Sequence, residues 1–233
     1  NDELAGFEVL SFRIGGSTPT QPQGSYVRKA LLDGIKLEAE QGFNPFKFGF
    51  IGSSDNHNST HVGEEDNYYG VSGLLDSDGQ KRGSLPLDPV GENDGVYFDR
   101  YARFGASGIA GVWSEQNTRE SIYDALRRKE AFGTSGPRIK IRFFAGNNLP
   151  DVNDRELVTK SYAGGVSMGG NIITDRNEPA TFIAWAAKDP NSAPLQRLQI
   201  IKGWVQNEQI YEKIYDVACA DNMEIDSISH RCA

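Results

Sequence analysis

The chain has 233 residues, and its 24 Lys and Arg residues against 32 Asp and Glu residues give a formal net charge of -8. This length can bury a sizeable core, either as one domain of barrel size or as two smaller domains. The acidic balance and the lack of a basic run argue against nucleic acid as a partner. No apolar stretch approaches the roughly 18 residues that suggest a membrane span. Because the first residues also lack the features of a signal peptide, we expect a soluble product without a membrane span.

The first third of the chain alternates strand, helix and strand patterns. A short strand-like run over residues 7–12 is followed by a linker rich in Gly, Pro, Thr and Gln. Residues 25–41 have helical periodicity, with Ser25 placed as the N-cap and Gly42 following the last helical residue. The run over 46–51 is continuously apolar, which predicts a strand buried on both faces of a parallel sheet.

The pattern then changes to a long loop, a helix and a β-rich half. Residues 58–105 show little periodicity, and a loop of this length usually carries function or is disordered. Asn117 and Glu120 are spaced like a capping box and predict a helix over residues 117–128. Beyond residue 136, short strand-like segments separated by turn residues predict an antiparallel sheet layer or sandwich. They cover residues 138–145, 181–188, 195–202 and 212–218.

Metal-ligand residue types cluster directly after the apolar run over 46–51. Asp55 is followed two residues later by His57 and then by His61, so two of the three histidines of the chain lie here. A carboxylate and imidazoles suit Zn, Fe or Mn. The alternative is that these are turn residues, since Asp, Ser and Asn favour loops through local hydrogen bonds. His61 could equally be a solvated loop residue, and the acidic run that contains Glu65 is more typical of a solvated face.

Other residues have two open interpretations each. Arg138 could clamp an anionic substrate or could pin the sheet layer through a salt bridge. Glu115 could line the mouth of a site or could be a favourable charge at a helix start. Trp185 and Trp204 lie in strand-like runs and are expected in a sandwich core, whereas Trp113 could line the mouth or lie in the core, and His230 has no assigned role.

The two cysteines lie 13 positions apart near the end of the chain, without a C-x-x-C spacing. Cys219 and Cys232 are therefore interpreted as two buried or idle thiols, the alternative being a local disulfide in an exported parent. We also expect that both ends were cut from something longer, because residue 1 is Asn and the last residues show no closing element.

Five motifs resemble the bacterial domain-of-unknown-function family 3604, and together they cover most of the chain. They are GSYVRKA at 24–30, NPFKFGFIGSSDNHN at 44–58, GIAGVWSEQNTRE at 108–120, TSGPRI at 134–139 and LQIIKGW at 198–204. That family looks like a branch of the polymerase-and-histidinol-phosphatase-like metallohydrolases. The resemblance implies a distorted α/β barrel that holds two or three divalent ions and mostly cleaves phosphoester bonds.

The last metal motif of that group is a Ser-Asp-x-His at a strand end, and it matches Asp55 and His57. The early H-x-H motif and the middle Asp-His and Glu motifs are missing from this sequence. The resemblance therefore implies the C-terminal part of a barrel over residues 1–136, followed by a β-rich subdomain over 137–233. The expected activity is metal-dependent hydrolysis of a small anionic substrate, with the missing N-terminal part of the parent, or a second copy, as partner. The rival hypothesis is a noncatalytic β-rich module that binds a glycan or a protein.

Overall fold

The computed structural model of the chain describes residues 27–54, 108–175, 177–228 and 230–232. Over these ranges the protein is a mixed α/β structure in which helices accompany antiparallel sheets and the C-terminal part is rich in strands. The helices are α1 (Val27–Gln41), α2 (Arg119–Arg127) and α3 (Leu157–Gly164). The strands are β1 (Ala110–Val112), β2 (Ala131–Gly133), β3 (Lys140–Gly146), β4 (Val166–Ser167), β5 (Thr181–Ala187), β6 (Arg197–Gln206) and β7 (Gln209–Cys219). None of the helices in these ranges is long and apolar enough to cross a membrane.

Helix α1 confirms the predicted element at residues 25–41, although Ser25 and the linker before it lie outside the described residues. The helix ends at Gln41 because Gly42 adopts φ 76°, a left-handed conformation that glycine reaches without steric cost. The Gly42 amide donates to the Glu38 carbonyl at 3.0 Å, which satisfies one of the last helical acceptors. Leu32 lies over Gly203 of β6, so α1 packs on the β6–β7 hairpin.

The segment 46–51 is not the buried strand that its apolar run predicts. The structure places it outside any strand, and Phe48 and Ile51 are 45 % and 62 % exposed. The rings of Phe46, Phe48 and Phe50 contact one another edge to face, with centroids 6.0 and 5.2 Å apart. The apolar run therefore forms a local aromatic row, which requires no burial between two layers.

Helix α2 forms as predicted, but its N-cap is Thr118 and not Asn117. Thr118 has extended backbone angles, and its hydroxyl accepts a hydrogen bond from the Ser121 amide at 3.3 Å. Glu120 lies in the first turn, where a negative charge is favourable, and it does not take the partner position of a capping box. The N-cap is therefore one residue later than predicted, and the first helical residue is Arg119.

The four predicted strands of the C-terminal half are confirmed as β3, β5, β6 and β7, and their pairing is antiparallel. Strand β3 lies between β4 and β5, and β6 and β7 form a separate hairpin. Phe144, Ala145 and Ile183 are the buried apolar residues of the three-stranded sheet. Trp185 was expected in a sandwich core and is 40 % exposed, so that prediction is wrong. Among the described strands the sheets have two, three and two members, and none of them is a barrel.

The β6–β7 hairpin turns through two residues with positive φ. Asn207 has φ 51° and Glu208 has φ 61°, the conformation of a type I′ turn. This turn matches the right-handed twist of the strands, and asparagine adopts it more easily than glutamate does. The two long strands stay paired from Gln206↔Gln209 to Arg197↔Cys219, with one irregularity between Leu198 and Gln199.

The two cysteines form a disulfide, so the interpretation as idle thiols is wrong. Cys219 at the end of β7 is bonded to Cys232, with their Cα atoms 5.8 Å apart. The backbone of Cys232 also forms an isolated antiparallel β-bridge with Ile225, which closes a short segment that contains a turn. Spacing alone could not decide the matter, because it does not show that the chain returns to the end of β7.

Candidate functional site

The segment that precedes the predicted metal ligands is held against the β1–β2 pair by three glycines. A Cβ on Gly52 would lie 2.5 Å from the Thr134 carbonyl oxygen, and one on Gly133 would lie 2.3 Å from the Gly52 nitrogen. A Cβ on Gly108 would lie 2.8 Å from the Ser53 carbonyl oxygen. Because contacts this short leave no room for a side chain, the three backbones meet only through glycine.

This junction fixes where the chain arrives at the predicted site. Thr134 donates its amide to the Ile109 carbonyl at 3.0 Å, and the Ile109 amide donates to the Thr134 hydroxyl at 3.3 Å. Ser54, the last described residue before Asp55, is buried. The structure therefore places Gly52 and Ser53, which precede the Asp-x-His motif in the sequence, at one end of the β1–β2 pair, although 46–51 is not itself a strand.

The predicted ligands Asp55 and His57, and the secondary candidates His61 and Glu65, lie outside the described residues. Within the described ranges, no group of three or more His, Cys, Asp and Glu side chains could hold a metal ion. The ligand assignment stays a prediction. It is consistent in chemistry with a carboxylate and an imidazole that follow a tightly anchored turn.

The other two candidates are described, and both are exposed. Glu115 lies between β1 and α2 and makes no hydrogen bond or ion pair to another described residue. The backbone amide of Arg138 donates to Asp189 Oδ2 at 2.7 Å, and this bond is the main cause of the lowered pKa of the Asp189 carboxyl. Asp189 thus holds the turn before β3 against the loop after β5. The bond uses the backbone of Arg138 and not its guanidinium.

A cluster of side chains that the sequence analysis missed surrounds Arg142 on strand β3. The Arg142 guanidinium stacks 3.5 Å from the ring centroid of Trp113, and its Nη1 donates to the Tyr162 hydroxyl at 3.1 Å. The Tyr162 hydroxyl in turn donates to Glu130. Trp113 is fixed by its own Nε1, which donates to the Ile141 carbonyl at 2.7 Å. Four residues from four separate segments are therefore locked into one network.

The electrostatics of this cluster depend on the partial burial of Tyr162 and on one buried carboxylate. Glu130 is 3 % exposed, and Arg128 lies 3.4 Å from its second oxygen. Partial burial raises the pKa of the Tyr162 hydroxyl, and the neighbouring Glu130 adds to that rise. Tyr162 therefore stays protonated at neutral pH and acts as the donor to Glu130 and the acceptor from Arg142.

His230, which had no predicted role, pairs with a carboxylate on β7. Its Nδ1 lies 2.7 Å from Asp216 Oδ2, and Gln199 donates to Asp216 Oδ1 at 2.7 Å. The hydrogen bond from His230 is the main cause of the lowered pKa of Asp216, with Gln199 next. The pair lies on the segment stapled by Cys219 and Cys232, so its evident role is to hold that segment on the hairpin.

Few sequence signals could have identified these contacts. Arg142 interrupts the apolar residues of β3, which indicates a functional or exposed face, but nothing in the order of residues pairs Arg142 with Trp113. Tyr162 and Glu130 belong to segments whose meeting depends on the tertiary fold. The Asp216–His230 contact likewise requires the disulfide-closed return of the chain.

The described structure thus defines a mixed α/β protein whose C-terminal half is built from antiparallel sheets. The family model for "Protein of unknown function (DUF3604)" matches residues 1–233, and the chain belongs to that family. Comparison with curated proteins and with solved structures produced no match. The resemblance to that family drawn from the five motifs is confirmed.

Proposed function

We propose that this chain is the C-terminal portion of a metal-dependent hydrolase of the phosphoesterase type. In this proposal Asp55 and His57 bind a divalent ion, Zn, Mn or Fe. The observation that carries the proposal is the three-glycine junction of Gly52, Gly108 and Gly133, which anchors the backbone directly before Asp55. The resemblance of the Ser-Asp-x-His motif to the metallohydrolase pattern supports it, whereas membership of a family of unknown function by itself names no activity.

Asp55 and His57, which follow the junction in the sequence, have the chemistry that such a site requires. A carboxylate and an imidazole two positions apart can face one ion when the preceding backbone is held rigidly. A metal ion of this type supplies a bound water of lowered pKa and positive charge beside the attacked group. His61 and Glu65 are candidates to contact the ion or the substrate, and the exposed Arg138 and Glu115 are secondary candidates for the same role. The catalytic base and acid are not assigned.

The proposed fold context is a distorted (β/α) barrel whose earlier part precedes this sequence. The β1–β2 pair with its docked segment would form part of that barrel, and the β-rich half would be a subdomain beside it. The missing metal motifs would then come from the remaining part of the parent or from a second copy. A small anionic substrate fits a site of cationic metal ions.

The test is hydrolysis of p-nitrophenyl phosphate by the full-length parent supplied with Mn²⁺, measured with and without chelator. Asp55→Asn should lower the rate at least about 100-fold, since even residues that only orient metal ligands contribute 10- to 100-fold. Asp175→Asn, an exposed aspartate whose Oδ1 only accepts from the Asn177 amide, is the matched control and should leave the rate unchanged. Turnover that survives both chelation and Asp55→Asn would contradict the proposal. No turnover and no metal dependence would favour the noncatalytic binding module.

A further inference from the structure

One face of the three-stranded sheet presents cations beside exposed aromatic rings. Arg142 of β3 lies directly opposite Trp185 of β5, and Lys140 lies opposite Ala187 in the same register. Side chains two residues apart on a strand share a face, so these four residues form one patch. Trp185 is 40 % exposed, and the small Ala187 leaves space between Trp185 and Lys140.

The guanidinium in this patch is held in one orientation before any ligand arrives. Trp113 covers one of its faces at 3.5 Å, and the Tyr162 hydroxyl occupies Nη1. The Nε–Nη2 edge of Arg142 bonds to no other residue in the described part of the chain, and Lys140 likewise makes no ion pair there. That edge carries two parallel N–H donors, which match the two oxygens of a carboxylate.

The neighbouring charges leave the patch positive. Glu130 is the nearest carboxylate in the network, and it is occupied by the Tyr162 hydroxyl and by Arg128. Lys140 and Arg142 therefore form a local cationic patch on a chain whose formal net charge is -8. A second pair of cations beside aromatic rings, Lys202 and Lys213, lies opposite each other on β6 and β7, but its ammonium groups lack the parallel donors of a guanidinium.

We propose that this patch of Lys140, Arg142, Trp185 and Ala187, with Tyr162 holding Arg142 in place, binds a carboxylate-bearing saccharide. The carboxylate of a uronic acid residue would bind the Nε–Nη2 edge of Arg142, and the apolar face of the sugar ring would pack on the exposed ring of Trp185. Lys140 would contact the charge of the next residue along the oligosaccharide. The binding proposal does not rest on the proposed metal centre.

An acidic peptide is the less favoured ligand for a structural reason. A peptide bound as an added strand needs free carbonyl groups along β3, and the Ile141 carbonyl already accepts from Trp113 Nε1. The other side of β3 is paired with β5 along the whole length from Lys140 to Gly146. The ligand must therefore bind through side chains on the face of the sheet, where flat rings and a guanidinium are available.

The experiment is calorimetric titration of the chain with trigalacturonate and with its methyl ester at fixed ionic strength. The free acid should bind, and the methyl ester should bind about 10- to 100-fold more weakly because it cannot form the charge-assisted pair. Arg142→Lys keeps the positive charge but removes the two parallel N–H donors, and it should weaken binding of the acid to a similar degree. Trp185→Ala should weaken binding of both forms.

Two further variants keep the result interpretable. Lys140→Gln does not alter the stacking on Trp113, so it tests the patch even if Arg142→Lys perturbs the fold, and it should weaken the acid alone. Lys213→Gln removes a cation that lies 4.8 Å over Tyr215 on the other sheet, and it should change nothing. No binding of the acid, equal affinity for acid and ester, unchanged affinity in both Arg142→Lys and Lys140→Gln, or tighter binding of tetraglutamate would each overturn the proposal.

Discussion

Removing the disulfide tests the account of how the last segment is held. Cys219 and Cys232 are separated by 13 positions, and replacing both with alanine frees a loop of that size in the unfolded chain. The chain-entropy relation gives about 10 cal/mol/K for this loop, which is about 3 kcal/mol at 25 °C. We therefore expect the free energy of unfolding to fall by about 3 kcal/mol in the double variant.

The assay is equilibrium urea unfolding followed by circular dichroism, with the fluorescence of the three tryptophans as a second probe. The oxidised protein, the reduced protein and the Cys219→Ala/Cys232→Ala variant are compared. Reductant should destabilise the natural chain and leave the variant unaffected. If the variant unfolds at the same urea concentration as the oxidised protein with the same slope, the disulfide does not constrain the cooperative unit and the reasoning is refuted.

Three smaller changes test other parts of the structure. Gly133→Ala places a methyl group 2.3 Å from the Gly52 nitrogen, so we expect a loss of about 1–3 kcal/mol in a thermal or urea melt. Glu208→Gly relieves the positive φ of the hairpin turn and should stabilise by roughly 0.5–1 kcal/mol after the entropy cost of glycine. The lowered pKa of Asp216, caused mainly by its bond to His230, gives stability that is present above the ordinary aspartate pKa of 3.8 and is lost as pH falls through the folded value. Asp216→Asn should therefore flatten the acid limb of a plot of unfolding free energy against pH.

Each change has its own control and contrary outcome. Gly170→Ala, where the nearest atom is the Ser167 carbonyl oxygen at 3.1 Å, should cost less than Gly133→Ala, and the reverse order would contradict the glycine junction. A melt of Glu208→Gly below that of the natural chain would show that the turn is not strained by glutamate. For Asp216, an acid limb identical in the Asn variant would place the titrating group elsewhere.

Local patterns predicted the elements better than they predicted what the elements contact. Strand β5 starts at Thr181 as predicted, whereas β3 starts two residues later and β7 three residues earlier than predicted. The end of α1 at Gln41 follows from the glycine after it, which acts over a few residues. Helix α3 was missed because Leu157–Gly164 has a weakly amphipathic pattern and no capping side chain. The cap of α2 shifted by one residue, which is the usual scale of uncertainty for a helix end.

The candidate sites likewise include one that the sequence predicted and one that it did not. The motif at Asp55 and His57 was visible because ligand residue types are close together in the chain. The Arg142 network was not visible, because Trp113, Glu130 and Tyr162 come from separate segments that only the tertiary fold brings together. The apolar run before Asp55 indicated a buried strand, but its three phenylalanines pack on one another and leave the backbone free to dock through Gly52.

The central claim is that Asp55 and His57 bind a divalent metal ion. The most direct measurement is the metal content of the chain by inductively coupled plasma mass spectrometry after incubation with Mn²⁺ or Zn²⁺ and removal of the excess. The account predicts bound metal in the natural chain, a clear loss in Asp55→Ala and in His57→Ala, and no loss in His230→Ala, whose imidazole pairs with Asp216. Metal content that is the same in all four proteins, or that is absent from the natural chain, would contradict it.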